Sequence, residues 1–161
     1  MRILVLSDTH RSLNKTVRLL HDIADDIDMV IHLGDNTEDA AFIKNNYQLP
    51  VLNVAGNCDF DASVPDDRLE QIGGKTVFMT HGHRYGVKYG SADDLVYRAL
   101  ELGADICLFG HTHTPFLQVI RGIVVMNPGS LPLPRGGSKP CYGIIKIEDG
   151  EIYPALVEIK N

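Results

Sequence analysis

Residues 1–10, Met1-Arg2-Ile3-Leu4-Val5-Leu6-Ser7-Asp8-Thr9-His10, run from an unbroken apolar tetrad into a polar cluster carrying a carboxylate and an imidazole. A short continuous apolar run of this kind reads as a buried strand. Ile3–Leu6 is therefore the first predicted strand, and Asp8 and His10 are what its end presents. On an extended segment, side chains two residues apart point to one side, so both can reach a single metal ion.

The same phrase returns four times. Met29–Leu33 runs into Gly34-Asp35, Val51–Ala55 into Gly56-Asn57-Cys58-Asp59, Thr76–Thr80 into His81-Gly82-His83, and Ile106–Phe109 into Gly110-His111-Thr112-His113. Five of the seven histidines fall in these clusters. Hard oxygen and imidazole ligands recurring at strand ends suit a metal site, and this many of them suit two ions. The candidate ligands are Asp8, His10, Asp35, Asn57, His81, His111 and His113. His111 and His113 repeat the spacing of Asp8 and His10, and Asp35 is placed to bridge two ions.

Between the strands the pattern changes period. Leu13, Val17, Leu20, Ala24 and Ile27 predict a helix with one buried face, capped by Ser12 or Asn14. Thr37 begins a short helix through Asn45. Strand, helix, strand, helix, strand implies a parallel core. Farther on, Ser91 with Asp94 resembles a capping box for a helix ending near Gly103. Arg121-Gly122 and Asp149-Gly150 read as hairpin turns, and the proline- and glycine-rich residues 127–140 as a loop. The apolar Ile123–Met126 either packs in the core or forms an interface between copies.

Composition excludes several classes. The chain of 161 residues reads as one domain, 1–161, able to bury a core without disulfides. Its three cysteines, Cys58, Cys107 and Cys141, have neither framework nor finger spacing. No apolar run is long enough to span a membrane, and the first residues lack signal-peptide features, so a cytoplasmic protein is expected. A net charge of −6 with scattered Lys and Arg argues against a nucleic-acid-binding face. It leaves a phosphorylated substrate open, because two dications add about +4 locally. Oligomeric state, including a homo-oligomer, is not set by the sequence.

The order Asp-x-His, Gly-Asp, Gly-Asn-x-Asp, His-Gly-His and Gly-His-x-His resembles the signature of the calcineurin-like metallophosphoesterase superfamily, in a chain the size of its small YfcE-type phosphodiesterases. The resemblance runs from Asp8 to about Ser130. It implies an α/β fold in which two mixed sheets pack face to face with helices outside, four layers in all. It also implies that Asp8, His10, Asp35 and His113 hold one ion and Asp35, Asn57, His81 and His111 the other. The implied function is a dinuclear metal-dependent phosphodiesterase acting on small phosphodiesters. Hydroxide generated between ions roughly 3.5–4 Å apart attacks in line with the leaving oxygen, with no covalent intermediate. Imidazole, carboxylate and amide ligands suit Mn2+, Fe2+, Ni2+ or Zn2+, with Mn2+ preferred. The rival reading is a scaffold, as in the metallophosphoesterase-like subunit of the retromer coat, which has lost ligand residues. All seven positions here keep a ligand type.

The cluster Gly-Asn-Cys-Asp carries Cys58 where many members have His, a group thought to aid phosphate binding or leaving-group protonation. A thiol is a weaker donor than imidazolium, so activated diesters are the expected substrates. Asn57, Cys58 and His83 are accordingly the candidate catalytic residues. For His83 a place behind the ligands, a substrate contact and a plain loop role all stay open. Asp59 orients the cluster or caps a turn. His32 reads as a satisfied core imidazole and His21 as a surface residue. Asn127 caps a turn or supports the centre, and Arg135 reads as a surface charge, with contact to an anionic substrate as the alternative.

Overall fold

Residues 2–6 form the first strand, β1 (Arg2–Leu6), and its alternation decides the layering. Ile3 and Val5 enter one apolar cluster while Leu4 and Leu6 enter another on the opposite face. The computed structural model describes residues 1–159. Among them the elements that follow are α1 (Asn14–Ile23), β2 (Met29–His32), α2 (Thr37–Tyr47), β3 (Val51–Asn53), β4 (Asp67–Ile72), β5 (Lys75–Thr80), α3 (Asp93–Glu101), β6 (Ile106–Leu108), β7 (Phe116–Ile120), β8 (Ile123–Asn127), β9 (Cys141–Glu148) and β10 (Glu151–Glu158).

Two five-stranded mixed sheets result, ordered β10-β9-β1-β2-β3 and β4-β5-β6-β8-β7. The central pairings are parallel, β1 with β2 and β2 with β3 in one sheet, β5 with β6 and β6 with β8 in the other. Ile3, Val5, Met29, Ile31 and Ile145 from the first sheet pack against Val77, Met79, Ile106, Leu108 and Met126 from the second. The outer face of the first sheet is covered through Leu19, Leu20 and Ile43 of α1 and α2, and that of the second through Leu95, Val96 and Ala99 of α3. This is the four-layer α/β arrangement expected.

Several local expectations are corrected. The buried residues of α1 are Thr16, Leu19 and Leu20, and Val17 is exposed. The face is thus rotated from the predicted one, because the helix must follow the surface of β1 and β2. The helix gives way to a 3-10 turn at Ala24–Asp26, and its N-terminus has no side-chain cap. Ser91 Oγ accepts only the Asp93 N–H, at 3.2 Å, so no capping box forms. Strand β4 was not anticipated. Half of its sequence, Asp67-Arg68-Leu69-Glu70-Gln71-Ile72, is charged, as suits a sheet edge. Both predicted hairpin turns are present, with Arg121 (φ 51°), Gly122 (φ 83°), Asp149 (φ 53°) and Gly150 (φ 80°) all left-handed, as a two-residue primed turn requires. Ile123–Met126 lies in β8, inside the core.

The parallel strands end on one edge, where the polar clusters begin. Asp59 ties two of those loops together. Its carboxylate accepts the N–H groups of Gly56 (2.8 Å), Asp35 (2.9 Å) and Thr37 (2.8 Å), the last opening α2. No helix among the described residues is long and apolar enough to cross a membrane.

Ile31, fully buried between the sheets, tests the packing: Ile31→Ala is expected to cost about 2–5 kcal/mol in urea unfolding, and an unchanged midpoint would contradict the layering. Asp59→Ala is expected to cost about 1.5–3 kcal/mol by the same measurement, because three N–H groups lose a charged acceptor.

Candidate metal centre

Asp8 and Asp35 leave the ends of β1 and β2 and lie almost fully buried, at 0% and 3% exposure. Their loops continue the parallel pairing beyond the strands. The Asp8 N–H donates to Gly34 O (3.0 Å) and the His10 N–H to Asp35 O (2.9 Å). The backbone there is not extended as expected. Asp8 (φ 55°), His10 (φ 45°), Asp35 (φ 51°), His111 (φ 68°) and His113 (φ 59°) are all left-handed. Side chains two apart therefore converge, or diverge, through curled loops and not through strand geometry.

The result is two donor groups. Atoms of Asp8, His10 and His113 lie within 4.8 Å of one another, and so do atoms of Asp35, His81 and His111. His113 Nε2 is 3.2 Å from Asp8 Oδ1 and 3.3 Å from His10 Nε2, and His10 Nε2 is 3.6 Å from Asp35 Oδ2. In the second group His81 Nε2 is 3.4 Å from Asp35 Oδ2 and 3.2 Å from Asn57 Oδ1. Asp35 thus reaches both groups, and His111 and His113, though two residues apart, fall in different ones. Donors bound to one ion at ~2.1 Å and ~90–110° apart are separated by roughly 3.0–3.4 Å, so these spacings fit divalent ions, with only the His10–Asp35 separation of 3.6 Å slightly beyond that range.

The hydrogen bonds behind the donors fix which atom faces inward. The Nδ1–H groups of His81 and His113 donate to Leu33 O and Leu133 O, both at 2.7 Å. Each Nε2 therefore faces oxygen acceptors, an arrangement that needs a cation or a proton between them. Asp8 Oδ1 is buried without a hydrogen-bond partner, while Oδ2 accepts from Ser7 Oγ (2.6 Å) and the His111 N–H (3.0 Å). Burial opposes ionisation of Asp35, yet the hydrogen bond and charge of His81 and the Cys58 N–H hold it well below the usual carboxylate range. Burial likewise opposes a charged His81, but its hydrogen bond to Asp35 and the charges of Asp8 and Asp35 raise it.

Glycine is needed where the loops touch. Gly34 has φ 93°, and a Cβ there would come within 2.6 Å of the Gly56 nitrogen. A Cβ on Gly56 would collide with Asp35 Oδ1.

Cys58 is exposed, and its N–H donates to Asp35 Oδ1 (2.9 Å). Burial and the Asp35 charge push its thiol up. His83 is half-buried, its ring 5.4 Å from that of His81 and 6.1 Å from that of His111, and its Nδ1 is buried without a partner. Asn127 supports the histidine loop, donating to Gly110 O (2.8 Å) and Thr112 Oγ1 (3.0 Å). His32 is a satisfied core imidazole: its Nδ1 accepts the Gly34 N–H (3.3 Å) and its Nε2–H donates to Thr9 Oγ1 (2.9 Å). His21 and Arg135 are surface residues. In the same segment as Asn127, Ser130 Oγ donates to Asp8 O (2.9 Å). Residues not anticipated from sequence are Ser7, Arg11 and Asn36; Arg11 and Asn36 line a cleft of about 270 Å³ with His10 and Cys58. All three directly adjoin a candidate ligand in sequence, which is the signal that could have found them.

A family model of the calcineurin-like phosphoesterase superfamily domain matches residues 1–150. A probable metallophosphoesterase of Bacillus subtilis, YsnB, is 35% identical over 151 residues, covering 92% of this chain and 86% of that protein. The Escherichia coli phosphodiesterase YfcE is 29% identical over 169 residues, covering 90% and 87%. Among solved structures, a predicted phosphoesterase from Streptococcus pneumoniae superposes with a TM-score of 0.82 at 29% identity, covering 98% and 88% of the two chains. Zinc-complexed Vps29 of Entamoeba histolytica superposes with a TM-score of 0.78 over 98% of both chains, and its 22% identity speaks to the fold alone. Divalent-metal binding is what this family implies, and the donor groups above suit it. With most of its length under the family model and a relative above 30% identity, the chain belongs to the calcineurin-like phosphoesterase superfamily.

Proposed function

We propose that this chain, as a single domain over residues 1–161, is a dinuclear metal-dependent phosphodiesterase of the cytoplasm acting on small phosphodiesters. The observation that carries the reading is Asp35, a buried carboxylate within reach of both donor groups. Asp8, His10 and His113 complete one position, and His81, His111 and Asn57 the other. Divalent ions held there supply activation of water and neutralisation of phosphoryl charge. Mn2+ is the preferred pair, since six of the seven donors are carboxylates or imidazoles and the seventh is an amide oxygen.

The chain's own groups account for the rest. Leu33 O and Leu133 O orient two imidazoles, so no reorganisation is needed when substrate arrives. Arg11, exposed at the cleft, offers a positive charge to an approaching anion. Asn57 and the Cys58 thiol line the side from which phosphoryl oxygens enter. His83, half-buried with its ring near His111, is the candidate for contact with the leaving group, although burial and the charge of His81 lower its pKa and so disfavour a standing proton on it.

Metal content measured together with Mn2+-stimulated hydrolysis of an activated aryl phosphodiester tests this reading. Two ions per chain are expected, and His111→Ala is expected to lose at least ~100-fold in turnover, because removing even an outer partner of a ligand costs ~10–100-fold. Hydrolysis of neither diesters nor monoesters above a metal-free control ends the enzymatic reading. Tight metal binding without turnover supports the scaffold alternative instead.

Asp35→Asn is expected to lower both metal occupancy and turnover, and full activity would remove the bridging role. Cys58→His is expected to speed diesters with poorer leaving groups relative to activated ones; an unchanged ratio would mean that this position does not set substrate range.

A further inference from the structure

One side chain reaches the centre without belonging to either donor group. Cys58 Sγ, a ring nitrogen of His10 and a carboxylate oxygen of Asp35 lie within 4.8 Å of one another. The backbone of Cys58 is anchored, because its N–H donates to Asp35 Oδ1 at 2.9 Å. The side chain itself is exposed, and its sulfur is a weak acceptor for the Asn57 Nδ2–H group 3.5 Å away. A χ1 rotation can therefore move the sulfur without moving the loop. With metal–sulfur and metal–nitrogen bonds of ~2.3 and ~2.0 Å, a tetrahedral ion needs its S and N donors roughly 3.5 Å apart, within reach of that rotation.

A second observation points at the same space. Asp8 Oδ1 is wholly buried with no hydrogen-bond donor on it, and imidazole nitrogens face it, His113 Nε2 at 3.2 Å and His10 Nε2 at 3.9 Å. That anionic oxygen leaves charge for a cation held beside His10. The cleft lined by His10, Arg11, Asn36 and Cys58 opens this position to solvent.

We propose that Cys58 is a conditional metal ligand: it joins His10 and Asp35 around a thiophilic ion such as Zn2+ or Co2+ and stays outside the shell of a hard ion such as Mn2+. On joining, the Sγ–H bond is exchanged for a sulfur–metal bond and the proton passes to solvent. Soft donors select soft ions, so one exposed side chain then decides which metals the centre retains. The sulfur also occupies the substrate-facing side of that ion, so a thiophilic ion is held at the expense of phosphate access. This rests on the metal-centre reading above and extends it to metal choice.

Optical titration of the metal-free protein with Co2+ tests the proposal independently of activity. Visible d–d bands report binding, and an intense near-ultraviolet sulfur-to-cobalt band reports thiolate ligation. The expected result is both bands in the wild type, with Cys58→Ser and Cys58→Ala keeping the d–d bands and losing the sulfur band. Cys107 and Cys141 are buried and outside every donor group, so they supply no substitute. Cobalt binding without the sulfur band in the wild type, or a sulfur band that survives in both variants, overturns the proposal and leaves the metal-centre reading intact. No d–d bands at all overturns both. With Mn2+, the wild type and Cys58→Ser are expected to bind equally in equilibrium dialysis, and a more than threefold weakening in the variant would contradict the hard-ion half.

Discussion

Two ionised carboxylates, Asp8 and Asp35, are buried at the seam of the molecule, and among the described residues only imidazoles form ion pairs with them. An uncompensated buried carboxylate costs several kcal/mol even after relaxation. Among the described residues no lysine or arginine forms an ion pair with either carboxylate. The compensation must come from cations bound among the histidines, or from protons on them. The surrounding architecture is the set of constraints that keeps both carboxylates in place: parallel strands ending together, glycines where loops touch, and Asp59 collecting three backbone N–H groups.

That placement is held by the backbone against its own preferences. Left-handed conformations at five non-glycine positions cost of order 1–3 kcal/mol each where they are unfavourable, less for Asp and His than for most residues. They persist because the turns are over-determined. Asp8 and His10 bond across to the Gly34-Asp35 loop, Ser130 bonds to the Asp8 carbonyl, and Asn127 braces the loop of His111 and His113. The donors are thereby set before any ion arrives, which is what preorganised binding of a charged group requires.

What the sequence made legible follows the same division. Continuous apolar runs and glycine-bearing turns are strong local signals, so the parallel strands, both hairpins and the order of the clusters were readable from residues alone. The seven candidate ligands stand together because each adjoins such a run. The details set by tertiary context were not readable. The buried face of α1 depends on the sheet beneath it, so Val17 fits the spacing and yet faces solvent. Strand β4 has only Leu69 and Ile72 as apolar residues to announce it, since an edge strand is specified by its neighbour β5. The extended geometry inferred for Asp8 and His10 was wrong for a related reason. Side-chain period speaks only while the chain remains a strand, and here it curls immediately afterwards.

The donors are also divided between the two sheets. Asp8, His10, Asp35 and Asn57 follow strands of the first, and His81, His111 and His113 follow strands of the second. An ion bound among them is a cross-link over an interface otherwise held by the apolar core and a few hydrogen bonds, such as His81 Nδ1–H to Leu33 O and His111 N–H to Asp8 Oδ2. Occupancy and resistance to unfolding are then two views of one equilibrium. An ion present at a hundred times its dissociation constant adds about 2.7 kcal/mol against separation of the sheets. The centre thus doubles as a clasp, and a cell that starves the protein of metal also loosens the fold that would capture it.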